Sequence, residues 1–361
     1  MMKSSVRAFR VFGISIEVHV SFILLVAVVL LSLPVYGVGW VFFLATMFAF
    51  VLFHELAHAL VAKRAGVGID NITLMFFGGV ASVEVPENPR LELLMASAGP
   101  ALNIAVALAC LLIIHYAGIA PIGIFDAMSP SNFTLTASQL LHTVLYANTL
   151  LALFNIIPGF PMDGGRILRS ILAMRMDYIR ATELSVSVGQ RLIFPLLFFV
   201  GLLDGNAITM VIAAALFIAS GSELKFVRLK RVLAGLTVGD VARKSVPKVA
   251  GSVSLHDFIA AITDGSATQY LVHGGDGRVL GVFDVRTLGG ISSRDLGKPV
   301  LAYANPEYLT ADAGKMMSDA LKEALSNDFL LVVSDRRVVG YLTPQLVLEQ
   351  YNLLSLKKAL R

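Results

Sequence analysis

One cysteine, Cys110, is all the chain holds, and it stands inside an apolar run. A single thiol excludes a disulfide framework within the chain and a thiolate zinc site. Charge is scarce too. Asp, Glu, Lys and Arg supply 15% of the 361 residues, where a soluble chain carries about a quarter. Hydrophobic residues make up 56%, and the mean hydropathy is +0.76. The net charge is only +4. The basic residues stand beside apolar segments, which suggests orientation in a bilayer and not nucleic-acid binding. No small-residue cleavage site follows the first apolar run, so that run reads as a retained helix and not as a signal peptide.

The apolar residues crowd into 14–222, while 223–361 carries more charge. The expected organisation is a membrane domain over 1–222, a linker over 223–236, and two soluble units over 237–290 and 291–353. Six apolar segments approach the roughly 20 residues a spanning helix needs: 19–36, 38–62, 91–118, 137–158, 183–203 and 206–222. Basic residues collect in alternate connections, at Arg7 and Arg10, Lys63 and Arg64, Arg166 and Arg169, and Lys225 to Arg231. Both termini are therefore expected in the cytoplasm, with the chain a multi-pass protein of the cell membrane. Residues 66–86 break the helical pattern and read as a β-hairpin turning at Gly78-Gly79, either lining a cleft at the membrane or lying plainly in the cytoplasm. In the soluble part, two similar stretches each end in a pair of short β-rich runs, "QYLVHGGDGRVLGVFDVRTL" and "DFLLVVSDRRVVGYLTPQLV". That repeat predicts a paired α/β module.

The stretch "FVLFHELAHALVAK" (Phe50–Lys63) puts His54, Glu55 and His58 inside an apolar helix. Ionisable groups at membrane depth are costly and mark function. Positions i and i+4 share a helix face, so His54 and His58 can hold one metal ion, with Glu55 beside them as a base. Imidazole ligation favours zinc. At about 1.5 Å per residue, His58 lies roughly 7 Å and His54 roughly 13 Å from the end marked by Lys63. His19, His115 and His142 sit too far toward other ends to complete the set. In "NIIPGFPMDGGRIL" (Asn155–Leu168), proline and glycine interrupt a helix at similar depth. Asp163 there is either the third ligand or the cap of the next helix. Asn155 could donate to an oxyanion.

With "HELAH", "SAGPALN" (Ser97–Asn103) and "NIIPGFPMDGGRIL" in this order and spacing, the chain resembles the site-2 protease family of intramembrane zinc metalloproteases over residues 10–222. The resemblance implies zinc on His54, His58 and Asp163, water activation by Glu55, and oxyanion or substrate contact by Asn155. Gly99, Pro100 and Asn103 belong to the family motif and read as packing residues. The implied substrate is a transmembrane protein cleaved within the bilayer. Residues 237–350 resemble a pair of CBS domains. That resemblance implies either an adenine-nucleotide site or a structural module that forms a homodimer. The nucleotide segment Gly-x-x-Thr/Ser-x-x-Asp is incomplete here. "GVFDVRT" (Gly281–Thr287) lacks both the hydroxyl and the Asp at the expected places, and "GYLTPQL" (Gly340–Leu346) keeps Thr343 but ends in Leu346. The competing reading is a transporter or channel gated by the CBS pair. It would spread ionisable residues through several helices, whereas these cluster toward one side.

Overall fold

The computed structural model describes residues 5–75, 78–83, 87–128, 136–262, 268–335 and 337–360. The chain divides into two compact units, Met1–Lys225 and Phe226–Arg361.

The first unit opens with sheet. Strands β1 (Ser5–Val11) and β2 (Ile14–His19) pair antiparallel around Phe12 and Gly13, whose φ values are 51° and 81°. Two successive left-handed residues make the tight turn that suits a hairpin's twist. The sequence signal for β2 is the alternation of Ile14, Ile16 and Val18 with Ser15, Glu17 and His19. Helix α1 (Val20–Leu31) and helix α2 (Leu33–Arg64) follow. Gly37 breaks α2 with φ 77°, at the division expected between the first two apolar segments. Strand β3 (Ile69–Met75) then pairs parallel with β2 and antiparallel with β4 (Gly78–Val83), in the order β1-β2-β3-β4. Gly78 and Gly79 are not the hairpin turn. They pair with Met75 and Leu74 inside β4, and residues 76–77 lie outside the described residues. Ile14, Ile16, Ile72 and Leu74 project from one face of the sheet onto Leu56 and Ala59 of α2. Each such side chain, fully buried, contributes about 1.5–3 kcal/mol, so the sheet is fastened to the helix that carries His54 and His58. Lys63 Nζ adds a hydrogen bond to the Phe12 carbonyl at 2.7 Å.

The remaining helices of this unit are α3 (Pro89–Tyr116), α4 (Ile124–Met128), α5 (Ala137–Ile156), α6 (Asp163–Ala173), α7 (Tyr178–Val188), α8 (Phe194–Leu203) and α9 (Ala207–Leu233). A π-helical turn, Gly189–Ile193, joins α7 to α8. Among the described residues, four helical stretches are long and apolar enough to cross a membrane: Leu33–Arg64, Pro89–Tyr116, Tyr178–Leu203 and Ala207–Leu233. Two of the six expected segments, 19–36 and 137–158, are not among these four. Helix α1 has 12 residues, too few to cross alone. Helix α5 has 20 residues, but it packs on α3 and buries Gln139, His142, Thr143 and Asn148. Its polar side chains face protein. Leu31, Leu203, Ile208 and Ile218 are largely exposed, a surface suited to hydrocarbon. Helix α9 continues to Leu233 through most of the expected linker.

The second unit is a repeat. Strand β5 (Lys248–Ala250), helix α11 (Leu255–Ala261), β6 (Gln269–His273) and β7 (Val279–Asp284) form one copy. Strand β8 (Thr310–Asp312), helix α12 (Met317–Ser326), β9 (Leu330–Ser334) and β10 (Arg337–Leu342) form the other. In each, the first strand runs parallel to the second and the second antiparallel to the third. Helix α13 (Pro344–Ala359) closes the chain, with Thr343 Oγ1 accepting from the Leu346 amide as its cap. The leading segments are exchanged between copies. Residues 237–243, expected to open the first copy, pack with the second. Thr237 bridges to Met316 and Arg243 to Tyr341, and Val238 and Val241, on the short helix α10 (Val238–Val241), are buried with Leu330, Leu342 and Val347. Ser254 and Val282 of the first copy bridge instead to Pro299 and Asn305.

Shortening a 226–361 fragment to 248–361 should therefore strip amide-exchange protection from β8–β10 and leave β5–β7 protected. Loss confined to β5–β7 would contradict the exchange.

Candidate metal centre

Helix α2 carries His54 and His58 one turn apart on the face turned toward α3. Their ring centroids are 4.6 Å apart. Each ring is held from behind by its other nitrogen. His54 Nδ1–H donates to Asn103 Oδ1 at 3.0 Å, and His58 Nδ1–H donates to the Met95 carbonyl at 2.7 Å. A neutral imidazole has one N–H, so these bonds fix the tautomer and leave both Nε2 lone pairs pointing into the site. Asp163, the first residue of α6, brings Oδ2 to 3.0 Å from His54 Nε2 and 3.1 Å from His58 Nε2. The two Nε2 atoms are themselves 3.0 Å apart. Asp163 does not cap its helix. The cap position is Met162, with no side-chain hydrogen bond.

With both imidazoles neutral, as metal binding requires, three acceptor atoms face one another. That arrangement is repulsive in a buried site, where His54 is 4% and Asp163 8% exposed, unless a cation lies between them. One ligand atom from each residue falls within 4.8 Å of the others. Tetrahedral zinc with bonds of about 2.0–2.1 Å spaces its ligands about 3.3 Å apart, close to the separations seen. Two imidazole nitrogens and one carboxylate leave a fourth position open, as catalytic zinc sites do. The residues present therefore fit the metal.

Helix α3 packs against these rings through small and polar groups. Met95, Gly99 and Asn103 recur every four residues and so line one face. A Cβ on Gly99 would lie 2.5 Å from His54 Cε1 and 2.6 Å from its Nε2. Gly99 and Asn103, expected to pack, also leave room for the two imidazoles and orient one of them. The four-residue spacing from Met95 was the signal available for them. Glu55 is half-buried beside the pair, on the side of β4. A Cβ on Gly79 would collide with its Cγ, so the edge strand passes directly over the carboxylate. Asn155 is half-buried on α5 and its Nδ2 donates to the Leu151 carbonyl at 2.9 Å. Among the described residues it makes no hydrogen bond to His54, Glu55, His58 or Asp163. His142, considered as a ligand, donates from Nδ1 to Ser138 O at 2.8 Å and accepts from the Ile122 amide at 3.2 Å. It pins a loop.

Residues 42–199 match the sequence model of Peptidase family M50, a range that contains every group just described. These residues belong to family M50, the site-2 protease family. A zinc metalloprotease of Methanocaldococcus jannaschii is 27% identical over 364 residues, covering 100% of both chains. Rip3 of Mycobacterium tuberculosis is 31% identical over 255 residues, covering 68% of this chain and 62% of the relative. Among solved structures, a site-2 protease from Methanocaldococcus jannaschii matches with 32% identity and a TM-score of 0.46, covering 61% of this chain and 95% of that one. Family membership and the apolar helices make this M50 chain a multi-pass membrane protein.

Asn103→Ala should weaken zinc binding by about 10- to 100-fold, because the ring it holds becomes free to turn. Gly99→Ala should abolish binding by displacing both rings. Metal content after dialysis against a graded chelator measures both, and wild-type retention in either variant would contradict the ring-orienting role.

Proposed function

We propose that this M50 peptidase is an intramembrane zinc endopeptidase that cuts transmembrane segments of other proteins. The observation that carries the reading is the convergence of two imidazole nitrogens and one carboxylate oxygen, each ring held by a hydrogen bond at its other nitrogen. His54, His58 and Asp163 hold the metal. Zinc bound there supplies a Lewis acid that polarises the scissile carbonyl and makes water acidic. Glu55 takes the proton from the attacking water and delivers it to the leaving amine nitrogen. Asn155 is proposed as a donor to the carbonyl oxygen as charge develops, since one of its amide hydrogens remains free of Leu151.

A substrate helix hides its carbonyls in internal hydrogen bonds, so cleavage requires local unwinding. Strand β4 is at the sheet edge, and its Gly79 lies against Glu55. An extended substrate segment adding to that edge would run past the carboxylate. Both termini are proposed to face the cytoplasm, on the strength of the basic connections. The second unit is proposed to be a CBS pair that regulates cleavage and does not perform it, since every metal ligand precedes it. Its repeated strand-helix-strand-strand pattern supports that reading, and pairing of two such units would give a homodimer.

Glu55→Gln should keep zinc and lose proteolysis, as an amide of the same shape cannot accept the proton. Asp163→Ala should lose zinc itself. Purified protein in detergent, a panel of single-span membrane proteins and elemental analysis decide both. Zinc lost from Glu55→Gln but retained by Asp163→Ala would reverse the assigned roles. A reporter fused after Leu353 should work only inside the cell. Activity outside alone would overturn the orientation.

A further inference from the structure

Arg169 lies on α6, six residues after Asp163, and is only 4% exposed. Glu92, on α3, is 1% exposed. Arg169 Nε donates to Glu92 Oε1 at 2.9 Å and Nη2 donates to the same oxygen. Nη1 donates to Glu223 Oε1 on α9 at 2.9 Å. The guanidinium carbon sits 4.6 Å from the Phe160 ring centroid and 4.9 Å from that of Tyr178. The Tyr178 hydroxyl donates to Glu92 Oε2 at 3.1 Å. Burial works against the charged guanidinium, but Glu92, joined by Tyr178 and Glu223, outweighs it and raises the Arg169 pKa.

A buried pair of this kind is a poor source of stability, because apolar residues of the same volume are often as good or better. What it supplies is direction. A planar guanidinium gripped on two edges fixes both the separation and the rotation of the helices it joins. Those helices are the ones that build the metal centre. Glu92 stands three residues before Met95, whose carbonyl orients His58, on the helix that also carries Asn103. Arg169 stands on the helix that begins with Asp163. Nothing in the hydrolytic chemistry uses either residue. We propose that Arg169 and Glu92 are positioning residues for the zinc site, holding the Asp163 helix in register with the helix that orients both histidines, and that Glu223 is an adjustable third arm. The proposal rests on the metalloprotease reading above. Glu223 is the least buried arm, with 31% of its side chain accessible.

The test uses full-length protein in detergent and reads zinc affinity by chelator competition, the thermal midpoint, and kcat and KM on a membrane substrate. A triple variant, Glu92→Leu with Arg169→Met and Tyr178→Phe, replaces the network by apolar groups. It should keep a midpoint near that of wild type, bind zinc about 10-fold or more weakly, and lower kcat with KM unchanged. Glu223→Gln should show a smaller loss in the same direction. Wild-type zinc affinity in the folded triple variant overturns the proposal. If that variant does not fold, the decision passes to Arg169→Lys, which keeps the charge and loses the fork, and unchanged zinc affinity there overturns it equally. A wild-type chain that binds no zinc at all would sink the metalloprotease reading instead.

Discussion

Much of the first unit follows from one constraint: His54 Nε2, His58 Nε2 and Asp163 Oδ2 converge to 3.0–3.1 Å, and with neutral imidazoles all three are acceptors. Such a group cannot be assembled by attraction among its own members. It has to be held from outside. The Asn103 amide and the Met95 carbonyl hold the rings, and the start of α6 holds the carboxylate. The absence of a side chain at Gly99 gives the rings their room. Each of these supports lies on a different turn or helix, which is why a site of three ligands recruits so much of the membrane unit.

The candidate ligands were legible in the sequence because their chemistry is local. His54, Glu55 and His58 lie within one turn and a half of helix, and Asp163 stands in a run of proline and glycine that interrupts another. The supports were harder to read because they act across the fold. Asn103 was visible as a polar residue in an apolar helix, but only the packing of α3 against α2 shows what it bonds. The same limit explains the span count. Polar residues in α5 lower its hydropathy, and whether they face lipid or protein is decided by the neighbouring helix. The N-terminal hairpin was the plainest omission. Its alternating pattern was present, but an apolar run beginning at Val18 masked it.

In the second unit the repeat was visible while its wiring was not. Similar runs in a sequence announce two copies, yet they say nothing of which leading segment completes which sheet. Here Val238 and Val241 fill the core of the later copy, and Pro299 and Asn305 serve the earlier one. The hydrophobic effect is indifferent to chain order, so the exchange costs only the length of connecting chain. It makes the two copies mutually dependent, because neither holds all of its own core.

The parallel pairing of β2 with β3 carries a consequence for how the protein is made. Residues 15–18 pair with 71–74, and everything between them is α1, α2 and the turn at their end. Parallel neighbours cannot be joined by a tight turn, so the intervening helices must leave the sheet and return to the same side. The ribosome has to release Leu74 before the N-terminal hairpin can gain its neighbour. The histidine-bearing helix is therefore delivered to the translocon ahead of the sheet that will brace it. Closing that pair over so long an intervening chain carries a larger entropy cost than closing a hairpin.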